Sequence, residues 1–521
     1  MAHSVSFDLT AVRRTNAVTL IAYAIVGLVF VRLCVAWAIP LASDEAYYWL
    51  WSRHLAAGYY DHPPMVALLI RLGTAVFGDT PFGIRVLSVL LGLLATWAVW
   101  RATVALYADD RLGALAALFF SLTMFVAAGT VIVTPDAPLL VASAFVLLFL
   151  AKVLQTGRGV WWLGVGVAAG LALVSKYTAL FFGLGIAIWL IAVPELRRWL
   201  QTPWPYLGGL IALAVFAPVL AWNAQHDWIS FLKQGARVGM RGDFTLRYLG
   251  EHFGAQFGMV TPGVFILGAM GLVAFLRGQG GPRPARVLIG ALFWPLAIYF
   301  VWHSLNSRVE GNWTAPLIPA FAIAAAVAGD KIEWRGGWER LAAWSRRLAV
   351  PVALSLAGFT YLQAVFGLIA AGVADPTARQ LGAGWPALAA QIEALRREAG
   401  ARAVLGTNYG TVAWLTFYLP PDAPVVQVNE RIRWVDAPQP DAALSFGALL
   451  YVCRAPCAEV ATVTGKFERA AGPQTLPRIR RGVVIEDYLV WRLDGLRGEL
   501  LDRSPPPELR KITRTTAAPD R

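Results

Sequence analysis

Long apolar runs separated by short polar turns recur from Ala17 to Gly372, and their length sets the first reading. A helix needs roughly 20 apolar residues to cross about 30 Å of hydrocarbon. The runs predict spans over residues 17–39, 82–107, 112–131 and 137–154, two flanking Ser175-Lys176-Tyr177, and one ending at Trp222-Asn223. Further spans return to Arg277, leave at Trp302-His303, close before Lys331 and cover 348–372, about eleven in all. The apolar stretch after Pro64 is shorter and stops at Phe77-Gly78-Asp79, which predicts a re-entrant or interfacial helix. After Asp375 the pattern changes. A helix-like segment from Trp385 to Ala399 alternates with short apolar strands such as Ala403-Val404-Leu405 and Val425-Val426-Gln427-Val428. The expected fold is a polytopic α-helical membrane protein over 1–375, a small α/β cap domain over 376–500, and a Pro- and charge-rich disordered tail over 501–521.

Composition agrees: 57% hydrophobic and 15% charged residues exclude a soluble chain of this size. The formal charge of +13 would suit a nucleic-acid partner, but the basic residues sit mainly in short loops between spans, so the surplus reports topology. With Arg13 and Arg14 on the cytoplasmic side of a retained first anchor, nearly every turn satisfies the positive-inside rule. Ser43-Asp44-Glu45, the Asp61-His62-Pro63-Pro64 turn, Asp136, the polar loop 223–258, the loop Asn306–Trp313 and the whole cap then face outward, the periplasm of a bacterial inner membrane. Cys34 lies in the first span. Cys453 and Cys457 are external, where oxidation is permitted, but only three residues separate them and a bridge there is tight.

Ionisable residues near bilayer depth are costly and therefore functional candidates. Asp44, Glu45, Asp61, His62, Asp136, Lys176, Arg308 and Glu310 are all expected on the outer side. Lys176 is the sharpest, because it interrupts an apolar stretch from Trp161 to Val193; it either snorkels to the headgroups or serves as counter-ion to a phosphate. Arg32 and Arg85 raise the same question more weakly. His62 is held by two prolines, as suits a positioned ligand-binding group. Glu310-Gly311-Asn312-Trp313 offers a carboxylate, an amide and an aromatic at an interface rich in anchoring Trp. The scattered histidines do not have metal-ligand spacing, and a divalent ion would have to share Asp44, Asp136 and a lipid phosphate. Without a Gly-rich phosphate loop or Walker lysine, no nucleotide cofactor is expected and an activated donor must come from the membrane.

Ser43-Asp44-Glu45-Ala46-Tyr47-Tyr48-Trp49 followed by Gly58-Tyr59-Tyr60-Asp61-His62-Pro63-Pro64-Met65 resembles the bacterial branch of the GT-C glycosyltransferases. That branch includes protein O-mannosyltransferases, lipid A aminoarabinose transferases and rhizobial galacturonosyltransferases. Thr134-Pro135-Asp136-Ala137-Pro138, Ser175-Lys176-Tyr177 and Glu310-Gly311-Asn312-Trp313-Thr314-Ala315-Pro316 are similar to its later motifs, so the likeness runs over about 17–330. The resemblance implies a GT-C-like bundle and transfer of one sugar from a polyprenyl-phosphate donor to lipid A, a glycan, a lipid or a protein. It implies Asp44 as catalytic base and His62, Lys176 and Arg308 at the donor phosphate. Substrate contacts would come from Glu45, Asp61, Asp136, Tyr177, Glu310, Asn312 and Tyr409. The aminoarabinose transferases carry lysine where His62 stands, and Asn408-Tyr409 with Phe417-Tyr418-Leu419-Pro420 matches only the general pattern of the variable cap. A transporter or flippase is the rival expectation, opposed by the one-sided grouping of polar residues and the lack of an inverted repeat.

Overall fold

The computed structural model describes residues 9–239 and 244–504; the expected tail beyond 504 and the side chains of Arg13 and Arg14 lie outside what is described. All eleven predicted spans are helical, in three forms. Among the described residues, seven are single helices long and apolar enough to cross a membrane: Asn16–Ala38, Pro81–Tyr107, Asp136–Thr156, Trp204–Gln225, Arg283–Ser304, Gly311–Asp330 and Gly337–Phe366. Two more are bent pairs, Tyr177–Ala192 with Pro194–Gln201 at 116° and Arg247–Val260 with Pro262–Leu276 at 109°. Each second limb starts on a proline, which cannot donate to the preceding turn. The last two, Asp110–Leu122 and Trp161–Leu173, are helices of 13 residues. At about 1.5 Å per residue they reach roughly 20 Å. Thr123, extended at ψ 148°, stops the first of them. By length and composition, seven helices among the described residues are long and apolar enough to cross, or up to nine when each bent pair is one span. The stretch after Pro64 is a short apolar helix, Met65–Phe77, as predicted.

Two compact units emerge. One comprises 9–34, 85–221 and 244–358 of the described residues and is wholly helical. Its centre is Ile318–Asp330, buried at every position from Ile318 to Gly329. Small residues let its backbone approach Pro262–Leu276: a Cβ on Gly271 would stand 2.2 Å from the Ala324 carbonyl oxygen. Close approach of this kind is how apolar helices gain packing where lipid offers no hydrophobic contrast. Arg32, 1% exposed in the first span, donates from Nη2 to the Ser121 carbonyl at 2.5 Å and to its Oγ at 3.0 Å.

The second unit comprises 35–84, 222–239 and 359–504. The expected α/β region is present as a five-stranded sheet of order β2-β1-β3-β5-β4. Here β1 is Val404–Gly406, β2 Val425–Gln427, β3 Leu449–Arg454, β4 Phe467–Arg480 and β5 Val483–Leu496. β1 pairs in parallel with β2 (Leu405 opposite Val426) and with β3 (Leu405 opposite Tyr451). β3–β5 and β5–β4 are antiparallel. β1 is buried along its length, as a central parallel strand should be, and Leu405, Val426, Tyr451, Trp491 and Leu493 share one core. Arg481 and Gly482, both at positive φ, make the tight turn of the β4–β5 hairpin. This unit also holds the short helix Ser43–Arg53, the proline turn after it and the helix Ile229–Gly239.

Candidate active site

Helix Ser43–Arg53 begins with two acids in its first turn, and they are used differently. Glu45 is fully buried and its Oε2 accepts the Ala42 backbone N–H at 2.9 Å, closing the helix start. That bond gives Glu45 a structural role at the helix start. Asp44 instead faces the cap, where the Tyr409 hydroxyl donates to its Oδ1 at 3.0 Å. Tyr409 opens the helix Tyr409–Tyr418, which Asn408 caps by accepting the Thr411 N–H.

Asp61, at the proline turn, is 8% exposed and densely satisfied. Its carboxylate meets Lys233 Nζ at 2.5 Å and Arg433 Nη1 at 2.6 Å, and accepts the Tyr47 hydroxyl at 2.9 Å. Arg433 also pairs through Nε with Glu430 at 2.6 Å. Aromatic faces support both cations. Lys233 lies 4.0 Å over the Tyr60 ring and Arg433 lies 4.7 Å over the Tyr409 ring. Burial alone would raise Asp61, but Lys233 and Arg433 hold its carboxyl far below the usual range. Asp44 goes the other way. Burial pushes it up and the neighbouring Asp61 and Glu45 charges add to that, while the Tyr409 hydrogen bond and Arg433 only partly oppose it. Two carboxylates of one cluster are thus driven apart, one fixed as a counter-ion and one left able to take a proton. His62 is half-buried beside them, its carbonyl accepting the Tyr59 N–H at 3.2 Å and its ring 6.5 Å from that of Tyr48.

The helical unit carries its own charged group. Asp136 sits in the first turn of Asp136–Thr156 after Pro135, and Lys176 at the break before Tyr177. Lys176 Nζ is 2.7 Å from Asp136 Oδ1, and Asn312 Nδ2 donates to Asp136 Oδ2 at 2.6 Å. Lys176 also lies 5.8 Å from the Trp313 ring centre. Gln256 fixes this segment by donating to the Gly311 carbonyl at 3.0 Å and accepting from Thr314 at 2.6 Å. Lys176, Asp136 and Asn312 are therefore brought together. Tyr177 packs instead on Phe216, at 6.2 Å between rings. Arg308 and Glu310 are exposed, and Arg308 pairs with Glu251 at 3.5 Å. Among the described residues no three His, Cys, Asp or Glu side chains stand together as a metal would need.

Sequence reasoning did not single out Lys233, Arg433 or Tyr47. Lys233 was one cation in a polar loop and Arg433 one of several in the cap; only long-range packing onto Asp61 distinguishes them. Cys453 and Cys457, undecided from sequence, are joined as a disulfide.

The fold and these motifs define a class, multi-pass membrane proteins resembling GT-C glycosyltransferases. The chain superposes on ArnT from Cupriavidus metallidurans bound to undecaprenyl phosphate with a TM-score of 0.63, covering 93% of this chain and 99% of that one at 17% identity. That likeness establishes the fold. Residues 61–222 match the family described as dolichyl-phosphate-mannose-protein mannosyltransferase. Over 289 residues the chain is 30% identical to the lipid A galacturonosyltransferase RgtD of Rhizobium johnstonii, covering 55% of this chain and 58% of that protein. It is 28% identical over 220 residues to a polyprenol-phosphate-mannose–protein mannosyltransferase of Mycobacterium tuberculosis, covering 35% and 42%. The chain thus spans about half the length of these curated relatives. The resemblance first read from Asp44, Asp61, Asp136, Lys176 and Asn312 in their motifs is borne out.

Proposed function

We propose that the protein is an inverting glycosyltransferase that moves one sugar from a polyprenyl-phosphate donor to an acceptor hydroxyl or amine of the envelope, on the periplasmic face of the inner membrane. The observation that carries this reading is the unequal pair at the helix Ser43–Arg53 and its proline turn. Asp61 is neutralised by Lys233 and Arg433, whereas Asp44 has a single tyrosine hydroxyl bond and a proton affinity raised by burial. A general base wants that environment.

Asp44 accepts the acceptor's proton as the acceptor oxygen or nitrogen attacks the anomeric carbon. The bond from that carbon to the phosphate oxygen breaks on the opposite face, and the lipid phosphate leaves with the electron pair, so configuration inverts. Charge grows on the leaving phosphate, and cations fixed beforehand stabilise it best. Lys176, His62 and Arg308 are the residues assigned to that task. Lys176 is the buried one of the three, already ordered by Asp136. Asp136 and Asn312 orient Lys176 and sugar hydroxyls. The RgtD and mannosyltransferase names agree with a lipid-linked or lipid A-directed chemistry, and the ArnT likeness supports a fold able to house a polyprenyl phosphate.

The test compares envelope glycolipids and glycoproteins by mass spectrometry in cells carrying the native gene, a deletion, or Asp44→Asn at matched abundance. Loss of the same single sugar in both mutants is expected. A change in the deletion alone removes Asp44 as base.

A further inference from the structure

The parallel part of the sheet has order β2-β1-β3, so the chain leaves β1 to one side and later returns to the other. In open α/β sheets the crevice outside the carboxyl ends of strands at such a switch point is where ligands bind. Here that crevice is a cavity of about 610 Å³. Its walls include the segments that follow the three strands, with Thr407 to Thr411 after β1, Asn429 and Glu430 after β2, and Pro456 to Glu459 after β3, together with Glu486 and Tyr488 of β5. The segment after β3 is pinned by the Cys453–Cys457 disulfide, and the Tyr451 hydroxyl lies 3.1 Å from both Cys457 Sγ and Thr407 Oγ1.

The lining has a definite chemistry. Asn408, Arg454 and Glu459 are exposed on the lining and Asn429 and Glu430 are half-buried there, so the wall offers amide, guanidinium and carboxylate groups. Amide, carboxylate and guanidinium groups pair with the vicinal hydroxyls of a pyranose. A peptide added as a strand would use an unpaired sheet edge. The cavity lies instead at strand ends and is shaped for a compact, polar group. One wall residue links the cavity to the proposed base: Tyr409 lines it and also donates to Asp44 at 3.0 Å.

We propose that this cavity is the acceptor's site and that it takes a sugar ring of a glycan or glycolipid headgroup, not a peptide segment. The proposal rests on the glycosyltransferase reading above. A ring hydroxyl arriving along the Tyr409 wall replaces the tyrosine hydroxyl on Asp44, passes its proton to that carboxylate and forms the new bond to the anomeric carbon as the lipid phosphate departs. Tyr409 holds the base in place until then.

The experiment uses the full-length protein in detergent and saturation-transfer NMR. Two probes are compared: the oligosaccharide released by mild acid from the host's envelope glycolipid, and a Ser/Thr-rich peptide. Ala458, an exposed wall residue, is changed to Trp to fill the cavity, and Glu459 to Gln to remove one acceptor without changing shape. The oligosaccharide is expected to bind wild type, at least tenfold more weakly to Ala458→Trp and several-fold more weakly to Glu459→Gln, with no peptide signal. Should Ala458→Trp fail to fold, Glu459→Gln decides. Unchanged oligosaccharide affinity in the cavity variants, or no oligosaccharide binding at all, overturns the site. Peptide binding that Ala458→Trp abolishes overturns the sugar class. If the oligosaccharide is lost with the cavity yet Asp44→Asn transfers at the wild-type rate, it is the base assignment that fails, and the cavity stands.

Discussion

Two charged groups of the molecule solve the cost of buried charge in opposite ways. In the helical unit one carboxylate, Asp136, meets one ammonium and one amide, so Lys176 and Asn312 satisfy both of its oxygens. In the second unit Asp61 collects two cations, Lys233 and Arg433, while Asp44 receives the neutral Tyr409 hydroxyl. A matched pair is an ordered scaffold whose charge is spoken for. An unmatched carboxylate beside an over-compensated one has a free energy that depends on whether it carries a proton. The contrast is the ground for the proposed division of labour, with holding and orienting given to the balanced group and proton transfer to the unbalanced one.

Removing the unmatched acid is expected to have the largest effect. Asp44→Asn should lower transfer by about 10²–10⁴-fold, the usual contribution of a general base, with little loss of thermal stability. Donor turnover and a melting curve on the same preparation check both halves. Asp61→Asn breaks the comparison from the other side, because it leaves Lys233 and Arg433 buried with too little counter-charge. A loss of about 3–5 kcal/mol of stability is expected, measured as a lower unfolding midpoint. The pH dependence separates the two acids. Asp61, held below its ordinary value of 3.8, contributes stability that is present above that value and lost as pH falls through its folded pKa. Asp44, raised above 3.8, contributes with the opposite sign: its share is present at low pH and lost as pH rises through the folded pKa. Lys176→Met is the milder break, since Asn312 still donates to Asp136. About 3 kcal/mol of stability should be lost, the low end for breaking a buried pair, together with affinity for the donor phosphate.

How much of this was readable beforehand follows from the range of the interactions. The eleven helical segments were legible because apolar runs are local. Their bends and the short helices ending at Leu122 and Leu173 were not, because Thr123 and Pro262 act through backbone geometry that hydropathy ignores. Asp136, Lys176 and Asn312 were identified separately by motif, and the structure joins them across 40 and 176 positions of sequence. Lys233 and Arg433 carried no such signal. Their partner Asp61 lies 372 positions from Arg433, and one basic residue in a polar segment looks like any other until the chain folds. Glu45 shows the converse: an acid next to the proposed base looked chemical from sequence, and the structure adds a helix-start bond to Ala42 that the motif did not signal.

The finest test of the comparison is Tyr409→Phe, which takes away the one hydrogen bond that Asp44 has from the cap while leaving the ring beneath Arg433. About 0.5–1.5 kcal/mol of stability should be lost, the net value of such a bond. Its effect on pH dependence is more informative. The hydroxyl lowers the Asp44 pKa against burial, so deleting it lets that pKa rise further. A base must be deprotonated to work, and the acid limb of the rate profile should therefore move to higher pH, with the rate above that limb largely retained. A shift toward lower pH would mean that Asp44 is not the group being titrated. An unshifted limb with a uniformly lower rate would make Tyr409 an ordinary packing residue, and the second unit's imbalance would then lie between Asp61 and its cations alone.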